Sequence, residues 1–135
     1  MVRQLCYSFT ALVGLVTAPA AQQSPGPAGT WNGRSTIGPK DSVVVAYVLT
    51  IAADGKSATM KFPGRDAIAT RVLAMGGDSI VTEAGPYPSI LRAGQTVKSL
   101  RTVAHYTGNS MTGTFEARYS NGDVVKGTTK ARRVK

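Results

Sequence analysis

His105 is the single histidine of this 135-residue chain, and Glu83 and Glu116 are its only glutamates. These are the residue types from which hydrolytic or metal chemistry is usually built. One imidazole with a lone cysteine far off at Cys6 makes a poor zinc site, which wants four convergent nitrogen or sulfur ligands. A strand placing His105 on the face of Val97 and Val103 would make it structural or solvent-facing. A glycosidase needs two carboxylates at a set separation across a sugar ring. Glu116 falls on the polar face of an alternating strand, where Arg118 and Lys126 would neutralise it, a contribution of about 1 kcal/mol or less. Glu83 ends a strand at the start of a Gly-Pro-Tyr loop and is the better placed of the two. No serine lies in a Gly-x-Ser-x-Gly elbow, and Gly76-Gly77 opens no helix that could cradle a phosphate. These residues imply neither a cofactor nor a metal, and the chain reads as a non-enzyme.

Binding is better served. The stretch GDSIVTEAGPYPSILRAG, residues 77–94, runs from a strand into a loop with two prolines. Pro86 and Pro88 stiffen that loop and bias Gly85 and Tyr87 toward extended conformations. Two roles are open to it. Tyr87, Ile90 and Leu91 could plug one end of the fold, or Tyr87 and Arg92 could form a rim that touches a ligand. Loops of about ten residues exceed what a hairpin needs and more often carry function. Tyr47, Met60, Phe115 and Tyr119 are the candidates to line an interior. Gly113, Ala117, Gly127 and Ala131 are small residues that would leave room beside them.

Strands must position these groups, because no helical periodicity occurs after residue 28. Residues 30–37 form a first strand. Residues 42–51 (SVVVAYVLTI) alternate, with Val43, Val45, Tyr47, Leu49 and Ile51 on the buried face. Residues 57–62 alternate with Ala58, Met60 and Phe62 inward. Residues 68–75 have ambiguous facing, since Val72 and Leu73 are neighbours. Residues 79–84, 96–106, 111–119 and 124–133 complete eight strands. Met111, Gly113, Phe115, Ala117 and Tyr119 share one face of the seventh. Short turns, including Asn121-Gly122, favour neighbour-to-neighbour antiparallel pairing. A meander of eight can close into a barrel and so remove its edges. Such a barrel is just wide enough for its own side chains or one small ligand. A two-sheet sandwich is the rival arrangement.

The N-terminus carries an address. Arg3 precedes an uncharged run over 5–16, and Ala18-Pro19-Ala20 offers a small-x-small cleavage site, so 1–21 reads as a signal peptide. Twelve apolar residues are too few to span a bilayer, which takes roughly 20. Residues 22–28 (QQSPGPA) form a linker, and 29–135 form one domain. The protein is then exported, to periplasm or medium. Without Cys6 it must draw its stability from its core. The whole chain has net charge +9. Cleavage removes Arg3 and leaves +8, which favours anionic surfaces. The cations are dispersed, apart from Lys130, Arg132, Arg133 and Lys135. Few aromatics alternate with them, which argues against a specific nucleic-acid platform.

Gly29-Thr30-Trp31 at the start of the first strand and Arg133 at the end of the last resemble the lipocalin (calycin) pattern. That resemblance implies an up-and-down barrel whose tryptophan is capped by an arginine from the final strand, here Trp31 under Arg133, with Arg132 as the fallback. The stack would be worth roughly 0.5–2 kcal/mol. The chain lacks the family's Thr-Asp-Tyr motif, flanking helix and disulfide. The mature chain is also similar to a group of small exported bacterial proteins. The shared motifs are Gly-x-Trp-x-Gly (29–33), Gly-Asp-Ser-Ile/Val-Val-Thr-Glu (77–83) and Gly-Pro-Tyr-x-Ser-Ile/Val-Leu-Arg (85–92). This resemblance implies a fold and an address and no established activity.

The expectation is therefore an all-β, eight-stranded antiparallel lipocalin-like barrel that follows a signal peptide and binds a small apolar or amphipathic ligand. The second reading is a cationic interaction protein whose Lys130, Arg132 and Lys135 dock on an anionic envelope component. Neither reading sets an oligomeric state.

Overall fold

The computed structural model describes residues 26–135 apart from 39 and 41. The expected leader over 1–21 with its Cys6, and residues 22–25 of the linker, lie outside the described residues. The chain forms β1 (Gly29–Ile37), β2 (Val43–Ile51), β3 (Ser57–Lys61), β4 (Ile68–Gly76), β5 (Ser79–Ala84), β6 (Tyr87–Pro88), β7 (Thr96–Thr107), β8 (Ser110–Tyr119) and β9 (Val124–Arg133). The sheet runs β5-β4-β3-β2-β1-β9-β8-β7, and β5 also pairs with β7. Eight antiparallel strands thus close into a barrel, and the sandwich is excluded. The ninth strand, β6, is two residues long and lies within the expected loop, pairing Tyr87 with Val97 and Pro88 with Thr96.

The barrel has a floor, where β1 begins and β9 ends, and a mouth at the opposite end. Alternation explains what faces in. Tyr47, Leu49 and Ile51 of β2, and Ala58 and Met60 of β3, are buried, as are Met111, Phe115, Ala117 and Tyr119 of β8. Each large apolar side chain so buried contributes about 1.5–3 kcal/mol. With no disulfide among the described residues, this cluster carries the stability of the domain.

Two expectations about facing need correction, and one left open is resolved. Val43 is 41% exposed rather than buried, because it sits at the mouth end of β2, beyond the packed layer. On β4, the register shifts between Val72 and Ala74. Alternation from buried Thr70 takes Val72 inward and Leu73, the unpaired residue of that bulge, outward, which resolves the two adjacent apolar residues. On β7, the register shifts between Val97 and Ser99. Val97 is consequently buried while Val103 and His105 face solvent, so His105 does not share the face of Val97.

Candidate functional site

At the floor, Trp31 has no exposed surface. Its Nε1–H donates to the Pro27 carbonyl at 2.9 Å. The Arg133 guanidinium stands 4.4 Å from the indole centroid. Its donors go to the carbonyls of Ala28 at 2.5 Å, Gly26 at 2.8 Å and Gly108 at 3.1 Å, and to Asn109 Oδ1 at 3.1 Å. Arg133 therefore ties three segments together: the approach to β1, the β7–β8 turn and its own strand. No carboxylate among the described residues pairs with it; carbonyl dipoles satisfy its charge. Arg132, the neighbouring residue, lies opposite Asn32 and is exposed on the outer wall.

The interior above that floor is nearly full. A space of about 30 Å³ remains among Tyr47, Met60, Ile80, Thr82, Ala104 and Phe115. This is one water's share of liquid volume, against the several hundred Å³ of a usual ligand pocket. The expectation that small inward residues leave room is thus overturned. A Cβ added at Gly127 would meet the Phe115 ring at 2.6 Å and the Thr36 carbonyl oxygen at 2.3 Å. One at Gly113 would meet the Val103 carbonyl oxygen at 2.1 Å. One at Gly33 would meet the Tyr47 ring at 2.2 Å. Cross-strand partners already occupy the volume these glycines vacate. Ala117 and Ala131 are themselves buried.

Tyr47 reaches across to hydrogen-bond the Thr129 hydroxyl. Burial pushes its phenol above the ordinary 10.0, and the bond to Thr129 opposes that shift. Thr70, Thr82 and Thr129 are buried inward. Thr82 and Thr129 line the inner space as polar residues; the inward alternation of β4, β5 and β9 is the signal in the sequence that marks all three.

At the mouth, the 85–94 loop folds over the barrel. Gly85 has φ +119°, and a Cβ there would come within 2.8 Å of the Lys98 carbonyl oxygen, so the chain can turn here only as glycine. Tyr87 is buried, its ring centroid 5.7 Å from that of Phe62. Burial first, and the Tyr119 charge second, raise its pKa well above the normal range. Ser89 meets the Tyr119 hydroxyl at 2.9 Å and accepts from the Leu91 and Arg92 amides. Arg92 stands 4.5 Å over the Tyr119 ring and bonds Asp123 at 2.7 Å. Arg65 holds the loop from β3's side through the Pro88 carbonyl.

The structure thus brings Tyr87, Arg92 and Tyr119 together at the mouth. Tyr47 and Met60 line the inner space, and Phe115 borders both. Beside the loop lies a cleft of about 50 Å³, edged by Ile37, Val45, Ile90, Leu91 and Val125. The mouth cleft and the inner space share Ser35, Phe62, Leu100 and Phe115 as lining. Two aromatic rings and a leucine therefore form the septum between them. Phe62, Leu100 and Ser89 are site residues that the sequence reading did not single out.

The residues considered for catalysis sit on the outer wall. Glu83 pairs with Arg71 at 2.6 Å. Glu116 pairs with Arg118 at 2.5 Å and Lys126 at 3.7 Å. His105, largely exposed, meets Ser79 Oγ at 3.1 Å and Asp78 at 3.7 Å. Among the described residues, no three histidine, cysteine or acidic side chains group as metal ligands. No helix among them is long and apolar enough to cross a membrane.

No family model and no curated protein matches the chain. Among solved structures, it is similar to the crystal structure of Rv2717c from M. tuberculosis. The two share 15% sequence identity and a TM-score of 0.41 over 80% of this chain and 92% of that one. A likeness at that level carries no argument about activity.

Proposed function

We propose that the protein is an exported binding module whose site is the barrel mouth, and that it takes the apolar end of a small apolar or amphipathic ligand without turning it over. The observation that carries this reading is the apolar cleft at the mouth, where Leu91 is 43% exposed beside Ile37, Val45, Ile90 and Val125. Below it the interior is blocked by the septum of Phe62, Leu100 and Phe115. The ligand's apolar end rests in the cleft above those side chains, and its polar end stays at the rim near Arg92. Arg92 is already paired with Asp123, so it orients a polar group more than it captures one.

Native mass spectrometry of protein purified from its own host tests the reading. An amphipathic small molecule should co-purify with the wild type and be lost from Val45→Asp and Leu91→Asp, both folded by circular dichroism. Wild-type protein that carries no adduct, and whose uptake of 1-anilinonaphthalene-8-sulfonate is unchanged by both substitutions, would end it.

A further inference from the structure

The outer wall formed by β2, β1 and β9 differs from the rest of the surface. On β2 the outward residues are Val44, Ala46 and Val48, with Val44 53% and Val48 37% exposed. Directly across β1 and β9 stand the pairs Arg34–Lys130 and Asn32–Arg132, while Lys61 of β3 lies opposite Val48. No carboxylate among the described residues pairs with Arg34, Lys61, Lys130 or Arg132; of the ion pairs, only Lys126–Glu116 involves a strand of this wall, toward the mouth end of β9. Hydroxyls border the cations. Thr36 and Thr128 bond each other at 2.8 Å, and Thr112 lies opposite Lys130. A shallow groove of about 570 Å³ runs over this wall.

We propose that the β2–β1–β9 wall is a docking face for a bilayer surface rich in anionic phospholipid. Lys130 and Arg132 are two residues apart on one strand, so they project from the same face about 7 Å apart. With Arg34 one strand away, at about 5 Å, they present three cations to several headgroups at once. Threonine hydroxyls can donate to the phosphodiester oxygens between them. The valine stripe selects the bilayer over other polyanions. A phosphate polymer would leave Val44 and Val48 in water, whereas a bilayer interface gives them an apolar layer to enter. Nucleic acid would want aromatic platforms among the cations, and this wall has none. The barrel would lie on its side, leaving the mouth open to solvent. The proposal is independent of what the mouth binds.

The test is co-sedimentation with vesicles of phosphatidylglycerol and phosphatidylcholine in 3:7 ratio, against vesicles of phosphatidylcholine alone. Wild-type protein should bind only the former. Arg34→Gln/Lys130→Gln/Arg132→Gln should bind on the order of 100-fold more weakly, since each cation at an anionic surface counts for about fivefold. Lys56→Gln/Lys98→Gln/Arg101→Gln removes equal charge elsewhere on the barrel. It should stay within roughly threefold of wild type, because screening confines the field to about 8–10 Å. Val44→Ser/Val48→Ser should lose roughly tenfold while keeping its response to salt. Equal losses in the two triple variants would overturn the proposal. So would wild-type affinity in the double valine variant, which would point instead to free phosphate chemistry, to be seen as competition by inorganic polyphosphate. Absence of binding to the anionic vesicles would also overturn it. Circular dichroism of each variant separates loss of binding from loss of fold.

Discussion

The two ends of the barrel use the same pair of groups to different effect. Arg133 stands over Trp31 at 4.4 Å, and Arg92 stands over Tyr119 at 4.5 Å. At the floor, the guanidinium is bonded to three backbone carbonyls and an asparagine, and the indole beneath it is sealed from water. At the mouth, the guanidinium has one carboxylate partner, and both members of that pair are more than a third exposed. Stacking distance alone does not decide how firmly an end is shut. What decides it is how many backbone segments the cation joins and how dry the contact is. The floor is a dry closure that joins three backbone segments, and the arginine contact at the mouth is a wetter one with a single carboxylate partner.

Breaking the floor should have the largest effect. Trp31→Ala should cost about 3–5 kcal/mol in urea unfolding followed by circular dichroism, as for other buried tryptophans. A cost below about 1 kcal/mol would mean that the floor is not where the barrel is held. The wall comes next. Gly113→Ala should lose about 1–3 kcal/mol through overpacking, because its new methyl meets backbone rather than a movable side chain. A neutral or stabilising result would show that the interior holds more room than the geometry allows.

The two arginines give the sharpest contrast. Arg133→Lys should cost about 2 kcal/mol, since an ammonium cannot keep the fork of carbonyl bonds together with the stack. Arg92→Lys should cost less than about 1 kcal/mol, as for exposed ion pairs. Equal costs would erase the distinction between the ends. The smallest effect is a pH dependence. Burial raises the pKa of Tyr47 and Tyr87, so between the ordinary value of 10.0 and the folded values the native state holds protons that the unfolded chain has released. Stability should therefore be unaffected by these groups below about pH 9 and fall as pH climbs past about 10. Tyr87→Phe should flatten that fall, and tyrosinate absorbance should appear together with unfolding. Absorbance that titrates fully in the folded protein would place Tyr87 in water.

The strands were legible in the sequence because a wall with one wet and one dry face writes itself as alternation. The span 57–62 with Ala58, Met60 and Phe62 and the span 111–119 show this most clearly. The bulges were not legible. At Val72–Leu73 either residue could face inward, and at Val97–Ser99 the polar Lys98 gives no sign that the register slips. The state of the interior was hidden for a different reason. Gly113 and Gly127 look like vacant space when each strand is read alone. Barrel closure sets Gly33 opposite Tyr47, Gly127 opposite Phe115 and Gly113 opposite Ala104. An inward glycine in this barrel marks where a neighbour lies across the strand. Of the candidate site, Tyr87, Arg92 and Tyr119 were found by their loop and strand positions. Phe62 was read only as an inward strand residue and Leu100 was not singled out, because a septum between two spaces is a property of packing across strands.

The claim that the floor is shut and the mouth receives the ligand is tested most directly by two-dimensional NMR of the labelled protein titrated with decanol, an uncharged amphiphile that ignores the cationic wall. Saturable shifts should appear at Ile37, Val45, Ile90, Leu91 and Val125, while the Trp31 indole N–H stays unmoved. A shifting Trp31 indole with a silent mouth would contradict the account.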